Sequence, residues 1–111
     1  MNSDVHCISD LAGLLPALPE ESILSRHVLS NDALNVTLFG FAAGQELTEH
    51  SAAFPAVLHF LDGEFELVLG DEELEARAGA WIYMPAHLPH SIRARSKGSF
   101  LLTLVLCAGK K

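Results

Sequence analysis

The sequence predicts an all-β fold: a small sandwich or barrel built from about eight to ten short strands. Three observations point there. Short apolar or alternating runs follow one another from Ser22 to Cys107. Turn dipeptides divide them at close intervals, among them Asn31-Asp32, Asp62-Gly63, Gly70-Asp71 and Lys97-Gly98. No long helical pattern separates the runs, so the crossovers that a parallel sheet needs are missing. An immunoglobulin-like sandwich would carry a Cys–Trp–Cys core, whereas the two cysteines, Cys7 and Cys107, stand near opposite ends.

Taken in order, residues 1–20 are a lead-in. Ser9-Asp10 is placed to cap a short helix over Leu11 to Leu15, ended by Pro16 and Pro19. Its stripe of Leu11, Leu14, Leu15 and Leu18 reads as packing over an end or flank of the domain. Ser22 to Leu29 forms a first strand. Leu34 to Ala42, rich in Val, Thr and Phe, forms a second. A shorter polar strand runs from Glu46 to Ser51, and Pro55 bends the chain after it. Val57 to Leu61 is compact and apolar. In Glu64 to Leu69, residues Phe65, Leu67 and Leu69 share one face. Glu72 to Ala78 is charged, and Trp81 to Met84 leads into the proline-bounded loop Pro85 to Pro89. His90, Ile92 and Ala94 alternate with Ser91, Arg93 and Arg95, and Ser99 to Cys107 is the last strand.

Composition limits the function. At 111 residues the chain is one domain, half hydrophobic, large enough for a core. Fourteen acidic residues against seven basic ones give a formal charge of −7. That balance opposes nucleic-acid binding, which needs a basic face to displace phosphate counterions, and it opposes an anionic membrane surface equally. A disulfide between Cys7 and Cys107 would need the first and last segments side by side, and nothing points to secretion. The start, Met1-Asn2-Ser3-Asp4, has neither a basic leader nor a long apolar segment, so a cytoplasmic location is expected.

The central stretch runs from Gly44 to His90, with His50 near its start and His90 at its close. Two strand ends carrying imidazoles to one place would make either anchors for a small ligand or a reduced metal site. The plainer alternative is a pair of histidines satisfied by hydrogen bonds or water. Trp81, Tyr83 and Met84 lead toward the same end. Tyr83 and Met84 are candidates for its apolar wall, although such residues more commonly mean core or dimer interface. Strict alternation sets Glu46 on the face of His50, where a carboxylate could orient the ring, and Glu49 on the other. His6 and His27 read as surface. No nucleophile elbow, phosphate loop or dinucleotide fingerprint is present.

These residues resemble the cupin superfamily, and in particular its small single-domain members, over roughly residues 34–106. Gly44, His50 and Gly63 match the first cupin motif, with Ala52 and Ala56 at its second histidine and its glutamate. Gly79, Pro85 and His90 match the second motif, with His87 at its middle glycine and Ala94 at its final asparagine. The resemblance implies a double-stranded β-helix, or jelly-roll, barrel over residues 31–107. An N-terminal arm and first strand would occupy residues 1–30, and a tail residues 108–111. It implies a likeness to homodimers and a small-molecule ligand.

Family members of the metal-binding kind hold one divalent ion through three histidines and a glutamate. Here His50 and His90 are the metal ligands that remain, with alanines at the other two positions. The expected function is small-molecule binding at the His50/His90 end. The alternative is a metal-dependent dioxygenase or an isomerase of small substrates. With Ala56 facing inward as in the family, His59 faces outward; a bulge near Pro55 would turn it in as a third ligand.

Overall fold

A computed structural model of the chain describes residues 5–106. Cys107 and the tail 108–111 lie outside them, and with them the Cys7–Cys107 pairing; Cys7 itself is exposed. Leu11–Leu14 forms one 3-10 turn in place of a capped helix. Asp10 makes no side-chain cap bond, because the turn is closed through backbone, Gly13 N–H to the Asp10 carbonyl at 3.1 Å. A proline-punctuated segment this short has no room for the several turns that would reward a cap.

Nine strands follow: β1 (Ile23–Ser30), β2 (Leu34–Phe41), β3 (Glu46–His50), β4 (Ala56–Asp62), β5 (Glu64–Leu69), β6 (Glu72–Arg77), β7 (Trp81–Met84), β8 (His90–Ala94) and β9 (Gly98–Val105). They make two antiparallel sheets, one in the order β1-β2-β9-β4-β7 and the other β3-β8-β5-β6. Each turn has a local cause. Asn31 accepts from the N–H groups of Ala33 and Leu34 through Oδ1, at 2.9 and 2.8 Å, and so builds the β1–β2 hairpin. At the β4–β5 corner, Gly63 has φ +83°, and a Cβ there would lie 2.5 Å from the Lys97 carbonyl oxygen.

The inward residues of both sheets form one core. Phe41, Phe60, Phe65 and Phe100 are fully buried, and their ring centroids lie 5.0 to 5.6 Å apart in contacting pairs. Tilted and edge-on pairs of this kind add about 0.5–1.5 kcal/mol each beyond the area they bury. This aromatic layer closes one end of the sandwich. Above it come Leu58, Leu67, Ile92 and Leu69, all buried.

The outer face of the five-stranded sheet is divided. Leu38, fully buried, and Gly40 project from β2 on the side away from the phenylalanine layer. The N-terminal arm lies there: the Leu15 and Leu18 side chains reach 3.0 and 3.7 Å from where a Cβ of Gly40 would stand. Leu15 and Leu18 of the arm therefore pack on a flank. At the other edge of the same face, Trp81 is 63% and Tyr83 54% exposed.

Candidate functional site

His50 ends β3 and His90 begins β8, and the two residues are directly paired across the four-stranded sheet. Their ring centroids are 4.2 Å apart at 58°. Imidazoles forty positions apart in sequence thus share one place. Each ring is held in the same way. His50 Nδ1 lies 2.9 Å from the Thr48 carbonyl oxygen, and His90 Nδ1 lies 2.9 Å from the Leu88 carbonyl oxygen. A carbonyl can only accept, so each Nδ1 donates and carries the proton. In the neutral rings both Nε2 atoms are then acceptors with a free lone pair.

The two rings differ in environment. His50 is exposed, whereas His90 is only 6% exposed. Burial lowers the pKa of His90 below its ordinary 6.5, and the His50 charge pushes the same way against the opposing Leu88 bond. His90 is accordingly a neutral imidazole at pH 7.

A bulge in β3 decides which side chains reach this end. Leu47 pairs with Ile92 and His50 with His90, so three steps on β3 oppose two on β8. The extra residue returns His50 to the face of Leu47. Glu46 instead pairs with Arg93 on the outer face. The expectation that Glu46 shares a face with His50 is therefore corrected, because strict alternation fails at a bulge. Arg93 itself bonds outward to Glu66 at 3.1 Å, and Arg95 to Glu75 at 2.9 Å.

The loops around the pair are tied by backbone. His87 N–H donates to the Ala52 carbonyl at 2.7 Å, and Gly70 N–H to the Pro89 carbonyl at 2.8 Å. His87 has φ +69°, a left-handed conformation. That explains why the corresponding motif position is a glycine.

The family model for the cupin domain matches residues 37–107. The chain is a cupin. A cupin superfamily protein from Desulfitobacterium hafniense superposes with a TM-score of 0.81 at 25% identity, over 86% of this chain and 87% of that one. An RmlC-like cupin from Desulfovibrio desulfuricans gives 0.76 at 30% identity, over 91% and 98%. A conserved protein of unknown function from Streptococcus pyogenes gives 0.73 at 31%, over 78% and 76%. Comparison with curated proteins gives no match.

Within this cupin the remaining candidate residues separate. Met84 faces inward but is 1% exposed and belongs to the packed core. Tyr83, one residue earlier, faces out, opposite Val57. The structure thus parts Tyr83 from the histidine end. Ala56 is inward and 2% exposed, so its alternation carries through, and His59 is exposed on the outer face opposite Trp81. Among the described residues, no group of three or more His, Cys, Asp or Glu is placed to hold a metal ion. Two imidazoles are half the donor set of a tight divalent site, and they do not by themselves make a resident metal centre.

Two residues not singled out from the sequence face inward on the five-stranded sheet. On β2 the inward set is Asn35, Thr37, Phe39 and Phe41, since Phe39 stacks on core Phe100 at 5.3 Å and alternation carries the face along the strand. The polar-to-aromatic change along that one face was the available signal.

Among the described residues, no helix is long and apolar enough to cross a membrane.

Proposed function

We propose that this cupin binds a small molecule at the His50/His90 end, with the two Nε2 lone pairs as its acceptors. The observation that supports this is the paired Nδ1 bonding. It turns both rings to the same tautomer and leaves the same atom of each unbonded to protein among the described residues. Histidines kept only for packing would have no need of matched, unpartnered acceptors at two adjoining strand ends. A divalent ion would find two donors here and would need ligand or water to complete its shell, so uptake is weak. The acidic chain, formally −7, is no partner for nucleic acid or anionic membrane.

The proposal includes a homodimer. The outer-face edge of Val57, His59, Trp81 and Tyr83 carries no carboxylate, so two copies can meet there without bringing acids together.

A second reading is proton transfer on a small substrate. It is favoured by His90 alone, which burial keeps in the unprotonated form able to accept a proton, at the cost of a lower proton affinity.

Isothermal titration with zinc ion and with a panel of small hydroxylated metabolites tests the proposal. Binding seen in the native protein should be lost in His50→Ala and in His90→Ala. Variants that fold and retain every affinity of the native protein would overturn it.

A further inference from the structure

We propose that Asn35 and Thr37 form the wall opposite the histidine pair, and that together the four residues select a small, uncharged, hydroxyl-bearing ligand. This rests on the reading that His50 and His90 bind a ligand.

The placement follows from topology. The connection from β2 to β3 is the four residues Ala42–Gln45. Four residues span at most about 14 Å, and packed sheets lie about 10 Å apart, so β3 must sit across from β2. Heights are set by the aromatic layer, where Phe41 of β2 touches Phe65 of β5 with ring centroids 5.6 Å apart. Four residues back from Phe41 is Thr37. Four residues on from Phe65 is Leu69, which pairs with His90, which pairs with His50. Both paths rise about 13 Å at the usual strand advance. Thr37 is therefore level with the histidines, and Asn35 stands one inward position nearer the end.

The row divides into two halves. On the five-stranded sheet it continues from Thr37 to Leu102, Leu58 and Ile82. On the other sheet it continues from His50 and His90 to Leu69. Polar groups face each other on the β2/β3 side, and hydrocarbon fills the other. Asn35 and Thr37 are half-buried. Thr37 Oγ1 donates to Asn35 Oδ1 at a long 3.4 Å, and the Asn35 amide nitrogen has no partner among the described residues.

The hydrogen-bonding roles are complementary. In the Nδ1–H tautomer the Nε2 atoms accept, and the Asn35 amide nitrogen only donates. A hydroxyl group can answer both. Among the described residues a formal anion finds no lysine or arginine here: Arg26, Arg77, Arg93 and Arg95 pair on outward positions, Lys97 lies in the β8–β9 turn, and the one further titratable group beside Thr37 is His27 on the edge strand β1.

The test is nuclear magnetic resonance titration of the native protein with D-glucose, D-mannose and myo-inositol, beside D-gluconate as the charged control. At least one neutral probe should shift the Asn35 side-chain amide and both imidazole Nε2 signals, and gluconate should bind more weakly. Asn35→Leu and Thr37→Val should each lower affinity for that probe about tenfold, the effect of one lost polar contact.

If the probe shifts the imidazoles and leaves the Asn35 amide in place, the wall assignment is wrong and the histidine site stands. If gluconate binds more tightly than every neutral probe, or none of the probes moves any of these signals, the ligand class is wrong. If a probe moves Asn35 and leaves both histidines untouched, the histidine reading fails with it.

Discussion

His50 and His90 orient their rings by the same bond, each Nδ1 donating to the backbone carbonyl two residues earlier, Thr48 in one case and Leu88 in the other. The pairing of β3 with β8 then sets the rings 4.2 Å apart. Backbone carbonyls, rather than neighbouring carboxylates, fix the tautomers, so the pair is preorganised without an added charge.

The acid limb of stability should report His90. Its folded pKa is below the unfolded 6.5, so the unfolded state binds more protons between those values. Its contribution is present above 6.5 and is lost as pH falls through the folded pKa. Thermal unfolding from pH 8 to pH 5 should show Tm dropping below about 6.5, and His90→Leu should flatten that part of the curve. An unchanged slope in the variant would remove His90 as the cause.

His87 holds φ +69° where a glycine would be free of strain. His87→Gly should stabilise the fold by about 0.5–1 kcal/mol, the balance of relieved left-handed strain against the greater freedom of the unfolded glycine. Chemical denaturation measures it; a lower midpoint would mean that the imidazole contributes contacts worth more than the strain.

Gly63 and Gly98 meet backbone to backbone where β4 turns into β5. A Cβ on Gly98 would lie 2.5 Å from the Asp62 carbonyl oxygen and 2.7 Å from Phe65 Cε1. Gly63→Ala and Gly98→Ala should each destabilise by more than about 3 kcal/mol, because backbone and a core ring would both have to move. Gly44→Ala is the control. Its φ is +83° with nothing within 4 Å of the added carbon, so it should lose only about 1–2 kcal/mol. Equal losses at all three positions would contradict the close approach.

Much of the fold was legible in the sequence. Strand positions could be read because apolar alternation and glycine turns repeat consistently, as at Phe65, Leu67 and Leu69 and at His90, Ile92 and Ala94. The outward turn of His59 followed from the inward Ala56. The face of Glu46 did not follow, since no glycine or proline marks the bulge before His50, and one unmarked residue inverts a strand's facing. Tyr83 and Met84 stand side by side before the loop, yet period-two alternation alone sends them to opposite faces. Asn35 and Thr37 share a face with Phe39 and Phe41, but their relation to the histidines depends on how one sheet lies over the other.

The dimer proposal has its own test. Sedimentation equilibrium should find a dimer, and Trp81→Lys should shift it toward monomer, since a charge introduced at a residue 63% exposed in the single chain would be buried between copies. A native protein that stays monomeric at high concentration would contradict it.

The two free Nε2 lone pairs are the feature on which ligand binding depends most. Two-bond 1H–15N correlation spectra of the imidazoles above pH 7 show directly which ring nitrogen bears hydrogen. The expected result is the Nδ1–H form at both His50 and His90. A proton on Nε2 of either ring would contradict the paired-acceptor site.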